Sequence, residues 1–118
     1  MGNPIIHWEL VVPDADKART FYRKIFDWRF DDKAFPGYTI IDTGKDPNGG
    51  LTTGRGSAPM AGLNTYFEVS DLHRTLHDVL ELGGKVLVPR TEIPSVGAYA
   101  MFADPNGIAV GILQPVPR

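Results

Sequence analysis

The tetrapeptide Asp-Pro-Asn-Gly occurs twice in this chain, at residues 46–49 and at residues 104–107, 58 positions apart. A second marker recurs at nearly the same interval. The runs Ile6-His7-Trp8-Glu9-Leu10-Val11-Val12-Pro13-Asp14 and Leu63-Asn64-Thr65-Tyr66-Phe67-Glu68-Val69-Ser70-Asp71 are both β-rich, and their closing aspartates lie 57 positions apart. Two independent markers at one spacing identify an internal repeat, and a repeat restricts the architecture more than any local propensity does.

Each aspartate suits a helix N-cap. After Asp14, Ala18, Phe21, Tyr22, Ile25 and Phe26 recur at i, i+3, i+4, i+7 and i+8 and form an apolar helical stripe, ending near Asp27. After Asp71, Leu72, Leu76, Val79 and Leu80 do the same, and Gly83-Gly84 ends the helix. In the first repeat, strands are expected around Trp28–Phe30, Tyr38–Thr43 after a Pro36-Gly37 turn, and Gly50–Thr53. In the second they are expected at Lys85–Val88, Ala98–Ala103 and Ile108–Leu113, with Pro89–Gly97 irregular and Gln114–Arg118 a Pro-rich tail. The expected fold is α+β. Two strand-helix-three-strand units, about 4–53 and about 63–114 joined by a Gly/Ser/Ala/Pro-rich linker at 54–62, form a concave eight-stranded sheet around a cleft.

At 118 residues the chain fits one domain with a real core. A formal charge of −2 with lysine and arginine scattered among acids argues against nucleic acid as a partner. No apolar run reaches membrane-span length, and the start has no signal-peptide layout, so a cytoplasmic protein is expected. The absence of cysteine removes disulfides, thiolate metal sites and cysteine nucleophiles together.

Strand alternation sorts the candidate residues. Trp8, Leu10 and Val12 share the face under the helix, and His7, Glu9 and Val11 share the other; Thr65, Phe67 and Val69 likewise oppose Asn64, Tyr66 and Glu68. His7, Glu9 and Glu68 therefore project toward the cleft as a candidate acid–base set. The alternative is a His7 hydrogen-bonded to Glu9 or Glu68 that performs no chemistry. Tyr66 and Tyr99 could stack on a planar ligand, with Met101 lining the same space. His73 and His77 have zinc-compatible i, i+4 spacing but no third ligand on a nearby strand, and read as a solvated helix flank. Gly54-Arg55-Gly56 lacks the Lys-Ser/Thr of a phosphate loop.

With the doubled pattern in hand, the chain resembles the vicinal oxygen chelate superfamily, which includes glyoxalase I, bleomycin- and fosfomycin-resistance proteins and extradiol dioxygenases. The resemblance rests on His7 seven residues before Asp14, Phe21-Tyr22 with Phe26-Asp27-Trp28, Leu82-Gly83-Gly84-Lys85-Val86, and Phe102-Ala103-Asp104-Pro105-Asn106-Gly107. It is nearest to the short glyoxalase-like members. The resemblance implies a divalent ion held by His or Glu from the first, fourth, fifth and eighth strands. His7 stands at the first place. Asn64 stands at the fifth and Gly111 at the eighth, where a ligand is expected; the fourth falls within Gly50–Thr53, a stretch without Asp, Glu or His. An amide oxygen is a poor ligand for a transition ion. The usual metal site is therefore broken, with His7 its only surviving metal ligand, although a divalent metal bound in another way stays open.

Three functions follow: a small-molecule-binding protein without the standard metal, using Asn64, Tyr66, Tyr99, Met101 and the space at Gly111; a lyase, isomerase or dioxygenase relative using His7, Glu9 and Glu68; or a non-catalytic dimerisation or regulatory domain. The resemblance also implies a homodimer with a small organic molecule as partner, and argues against glyoxalase I activity itself.

Overall fold

The computed structural model describes residues 2–35, 37–53 and 61–117. Pro36, residues 54–60 with the Gly54-Arg55-Gly56 stretch and most of the expected linker, and Arg118 lie outside the described residues. The elements run β1 (Ile5–Val11), α1 (Ala15–Phe26), β2 (Arg29–Phe35), β3 (Tyr38–Asp42), β4 (Gly49–Thr52), β5 (Gly62–Glu68), α2 (Leu72–Glu81), β6 (Lys85–Ile93), β7 (Gly97–Ala103) and β8 (Ala109–Pro115). The strand-helix-three-strand order thus occurs twice, and the class is α+β, with eight strands and two helices among the described residues. The chain divides into two compact units, His7–Asn64 and Met1–Ile6 with Thr65–Arg118.

In the first of these units the strands lie in the order β2-β3-β4-β1. β1 and β4 run parallel, while β2·β3 and β3·β4 are antiparallel. Asp14 caps α1 by accepting the Lys17 N–H at 3.1 Å. The helix stops at Asp27, in the left-handed conformation at φ 56, whose N–H bonds the Arg23 carbonyl. Leu10, Ala18, Ile41 and Leu51 form the core beneath α1, with Trp8, Tyr22, Trp28 and Phe30 around it.

In the other unit the order is β5-β8-β7-β6, with β5·β8 parallel and β8·β7·β6 antiparallel, the same plan again. Asp71 caps α2 through the Arg74 N–H at 3.0 Å. Gly83, at φ 94, takes the left-handed turn that ends it. Val69, Leu72, Ala98, Ala100 and Ile112 are the core under this helix.

Several expectations need correction. The α1 stripe is rotated: Ala18 is buried and Tyr22 half-buried, but Phe21, Ile25 and Phe26 are 58%, 56% and 56% exposed. The helix instead turns Ala15, Ala18 and Tyr22 (i, i+3, i+7) to the sheet, and Arg19 reaches Asp32 and Thr39 beside them. Leu80 is likewise exposed rather than core. β6 runs through Pro89 instead of stopping at Val88. It is an end strand of its unit's order with two register shifts, the setting in which proline's missing N–H is tolerated. β8 continues through Gln114 and Pro115, and the Gln114 side chain accepts the Leu72 N–H at 2.8 Å at the start of α2. The expected tail is therefore partly a structural strand.

Candidate functional site

In the unit His7–Asn64 the candidate chemistry lies on the sheet face away from α1. Parallel register sets Glu9 of β1 beside Gly50 of β4, and antiparallel register sets Ile40 of β3 on the other side of Gly50. The other repeat pairs Tyr66 of β5 with Gly111 of β8 in the same parallel register, so Gly50 is the counterpart of Gly111 in this unit. A Cβ built on Gly50 would collide with the hydroxyl and ring of Tyr38. That hydroxyl lies 3.0 Å from His7 Nε2. Gly50, His7 and Tyr38 therefore meet on one face, and Tyr38 fills the space into which a fourth-strand side chain would project. Glu9 shares this face by strand alternation and is buried.

Burial holds the His7 imidazole below its ordinary pKa of 6.5, because desolvation disfavours the charged form. A neutral ring has one donor and one acceptor nitrogen. With the proton on Nδ1, His7 accepts the Tyr38 O–H; with the proton on Nε2, it donates to the phenol oxygen and leaves the O–H for another acceptor. Both residues are half-buried.

The adjoining Gly49 shows the same device on the opposite face. Its Cβ would fall 2.5 Å from Trp8 Cδ2 and Cε2, the indole packed under α1. Two consecutive glycines thus let β4 pass beneath one aromatic ring on each face.

In the unit containing Thr65–Arg118, β5·β8 register sets Tyr66 opposite Gly111. A Cβ at Gly111 would enter the Tyr66 ring and stand 2.8 Å from the Thr65 carbonyl oxygen. The space expected at Gly111 is therefore taken by a ring. Tyr66 packs edge-on to Tyr99 with centroids 6.2 Å apart, and its hydroxyl meets Met101 Sδ at 3.9 Å. Tyr66, Tyr99 and Met101 are all buried, at 4%, 8% and 0% exposure. The structure brings these expected residues together in a packed cluster with Val88.

Glu68 is half-buried; its N–H donates to the Pro4 carbonyl and its carbonyl accepts from Asn3 Nδ2, both at 2.8 Å. Asn64 is buried. His73 and His77 are exposed on α2, with His77 Nδ1 3.6 Å from Asp78. Two surface concavities, one along α1 at Lys17, Phe21, Lys24 and Ile25 and one at Asn3, Val79, Phe102 and Asp104, contain none of the candidate residues.

Tyr38 is the residue that sequence reasoning missed. Alternation puts it with Ile40 and Asp42, but only the folded structure shows that it reaches Gly50 and His7.

The donor set does not fit the divalent ion that the resemblance implies. Of its four positions, those at Gly50 and Gly111 have no side chain and lie under tyrosine rings, and Asn64 offers a neutral amide. Among the described residues, no group of three or more His, Asp or Glu is arranged to hold a metal.

The family model described as Glyoxalase/Bleomycin resistance protein/Dioxygenase superfamily matches residues 5–112. CFP32, a protein provisionally named a glyoxylase in Mycobacterium bovis and Mycobacterium tuberculosis, is 30% identical over 121 residues, covering 96% of this chain and 46% of its own. The chain thus spans about half the length of the curated relatives it matches. Among solved structures, methylmalonyl-CoA epimerase from Mycobacterium tuberculosis superposes with a TM-score of 0.63 at 14% identity, covering 96% of this chain and 88% of that one. The hypothetical protein BH1468 from Bacillus halodurans gives a TM-score of 0.69 at 13% identity, covering 100% and 98%. At such identities the likeness concerns the fold.

Proposed function

The chain belongs to the Glyoxalase/Bleomycin resistance protein/Dioxygenase superfamily, and from that premise we propose that it binds a small organic molecule without the superfamily's divalent ion. The observation that carries this reading is the 3.0 Å contact between His7 Nε2 and the Tyr38 hydroxyl above Gly50. It supplies a hydrogen-bonding pair where a metal ligand is missing. The ligand is a compound with an oxygen or nitrogen able to engage that pair. His7, Tyr38 and Glu9 are its polar contacts; the buried Tyr66, Tyr99 and Met101 support their own unit's packing.

A proton-transfer role in a lyase or isomerase relative draws on the same residues. A neutral His7 beside a phenol, with the Glu9 carboxylate on its face, is a set able to move a proton without a cation. Glu68 remains a proposed member of that set. The protein is proposed to act in the cytoplasm; no helix among the described residues is long and apolar enough to cross a membrane. It is also proposed to pair with a second copy. Light scattering at graded concentration reads that state directly.

The test is thermal unfolding against a panel of small carbonyl, carboxylate and enolisable compounds, in excess chelator. A ligand at about 100 times its dissociation constant stabilises by roughly 2.7 kcal/mol. The reading expects a stabilising compound whose effect survives chelator and is lost in His7→Ala. Stabilisation that requires an added metal ion would refute it.

A further inference from the structure

Two explanations exist for a family metal position that carries glycine. Either the ligand has been lost and the place left open, or another group has taken it over. The geometry at Gly50 distinguishes them. The Tyr38 hydroxyl lies where the first side-chain atom at position 50 would be, and not merely nearby. It is also 3.0 Å from His7 Nε2, one of the two ring nitrogens through which an imidazole can bind an ion. We infer that the Tyr38 phenol has replaced the fourth-strand ligand and closes this half-site to metal ions, so that His7 works with a hydroxyl instead of a cation.

Two further observations support this. Only glycine at position 50 admits the phenol, so the two residues are complementary, and substituting one without the other leaves a clash or a gap. A phenol hydroxyl can pair with either tautomer of the His7 ring, and it lacks the carboxylate or imidazole donor that would recruit a cation at this place. In the second repeat Gly111 also underlies a tyrosine ring, but that of Tyr66, which comes from the parallel neighbour β5 where Tyr38 comes from the antiparallel neighbour β3.

This deepens the metal-free reading above, and its test can fail separately. Chelator-treated wild type, Tyr38→Phe, Gly50→Glu and the double variants Tyr38→Ala/Gly50→Glu and Tyr38→Ala/Gly50→His are each melted with Ni²⁺, Zn²⁺ or Co²⁺ alone. Wild type and Tyr38→Phe should show no specific rise in Tm. Gly50→Glu should melt below wild type, because its side chain meets the ring. At least one double variant should gain a metal-dependent rise in Tm that His7→Ala abolishes.

A His7-dependent rise in wild type would overturn both the inference and the metal-free reading. Double variants that fold but respond no better than wild type would overturn the inference alone, since the phenol would then not be what closes the half-site. Should neither double variant fold, the His7 ring nitrogen resonances in wild type and Tyr38→Phe decide. A clear shift on losing the hydroxyl supports the pairing, and unchanged resonances overturn it.

Discussion

Gly111→Ala is the substitution whose effect can be worked furthest from the structure. The added methyl would enter the Tyr66 ring and stand 2.8 Å from the Thr65 carbonyl oxygen. Tyr66 is 4% exposed and wedged against Tyr99 and Met101, so its ring has little room to move. The carbonyl belongs to the strand paired with Gly111, so relief on that side means parting β5 from β8. Overpacking of this kind costs about 1–3 kcal/mol, and the backbone contact places Gly111→Ala at the upper part of that range. Alanine recovers about 0.5–1 kcal/mol of the backbone entropy that glycine loses in a strand. The net expectation is a loss of about 2 kcal/mol, or roughly 8 °C in Tm for a domain of this size.

Denaturant and thermal unfolding of wild type, Gly111→Ala, Tyr66→Ala and the double variant would measure it. Tyr66→Ala alone should cost about 3–5 kcal/mol as a buried aromatic truncation. In that background Gly111→Ala should cost much less than on its own, giving a coupling of about 1–2 kcal/mol. A Gly111→Ala protein as stable as wild type, or two substitutions that simply add, would refute the claim that this glycine exists to admit the ring.

Removing the α2 cap with Asp71→Ala should cost about 1 kcal/mol in urea unfolding, because the Arg74 N–H loses its acceptor. The Asp32 carboxyl lies below its ordinary range, chiefly through its hydrogen bond from Arg19 and then that from Thr39. Its stabilising contribution is therefore present above the unfolded-state pKa and is lost as pH falls through the lower folded one. Asp32→Asn should weaken the fall in urea midpoint on acidification, and an unchanged acid limb would count against the assignment. His7, also depressed when folded, should add to the loss of stability as pH drops below about 6.5. An NMR titration of the His7 ring should give a midpoint under that of a free imidazole, and His7→Gln should flatten that part of the stability profile.

Much of the fold was legible because two local devices each occur twice. Asp14 and Asp71 cap their helices through their own side chains, and Asp27 and Gly83 end them in left-handed geometry. These are short-range effects, which a linear sequence displays. The rotation of α1 was not legible. Phe21 and Ile25 have the right period for a core stripe, but the sheet is met by Ala15, Ala18 and Tyr22, with Arg19 held alongside by Asp32. Which of two overlapping stripes faces inward depends on side-chain volumes across the interface, and small alanines allow the closer approach.

The site divides in the same way. The loss of metal ligands at Asn64 and Gly111 was visible residue by residue. The part played by Tyr38 was not, because it depends on the pairing of three strands around Gly50. Glycine in the sequence signals missing atoms but not what occupies their space.

The most direct test of the central claim is calorimetric titration of Ni²⁺ into chelator-treated wild-type protein, with His7→Ala as the control. The account predicts no binding that depends on His7, because the imidazole is engaged by the Tyr38 hydroxyl over a glycine. Stoichiometric binding that disappears in His7→Ala would contradict it and restore a metal centre to this chain.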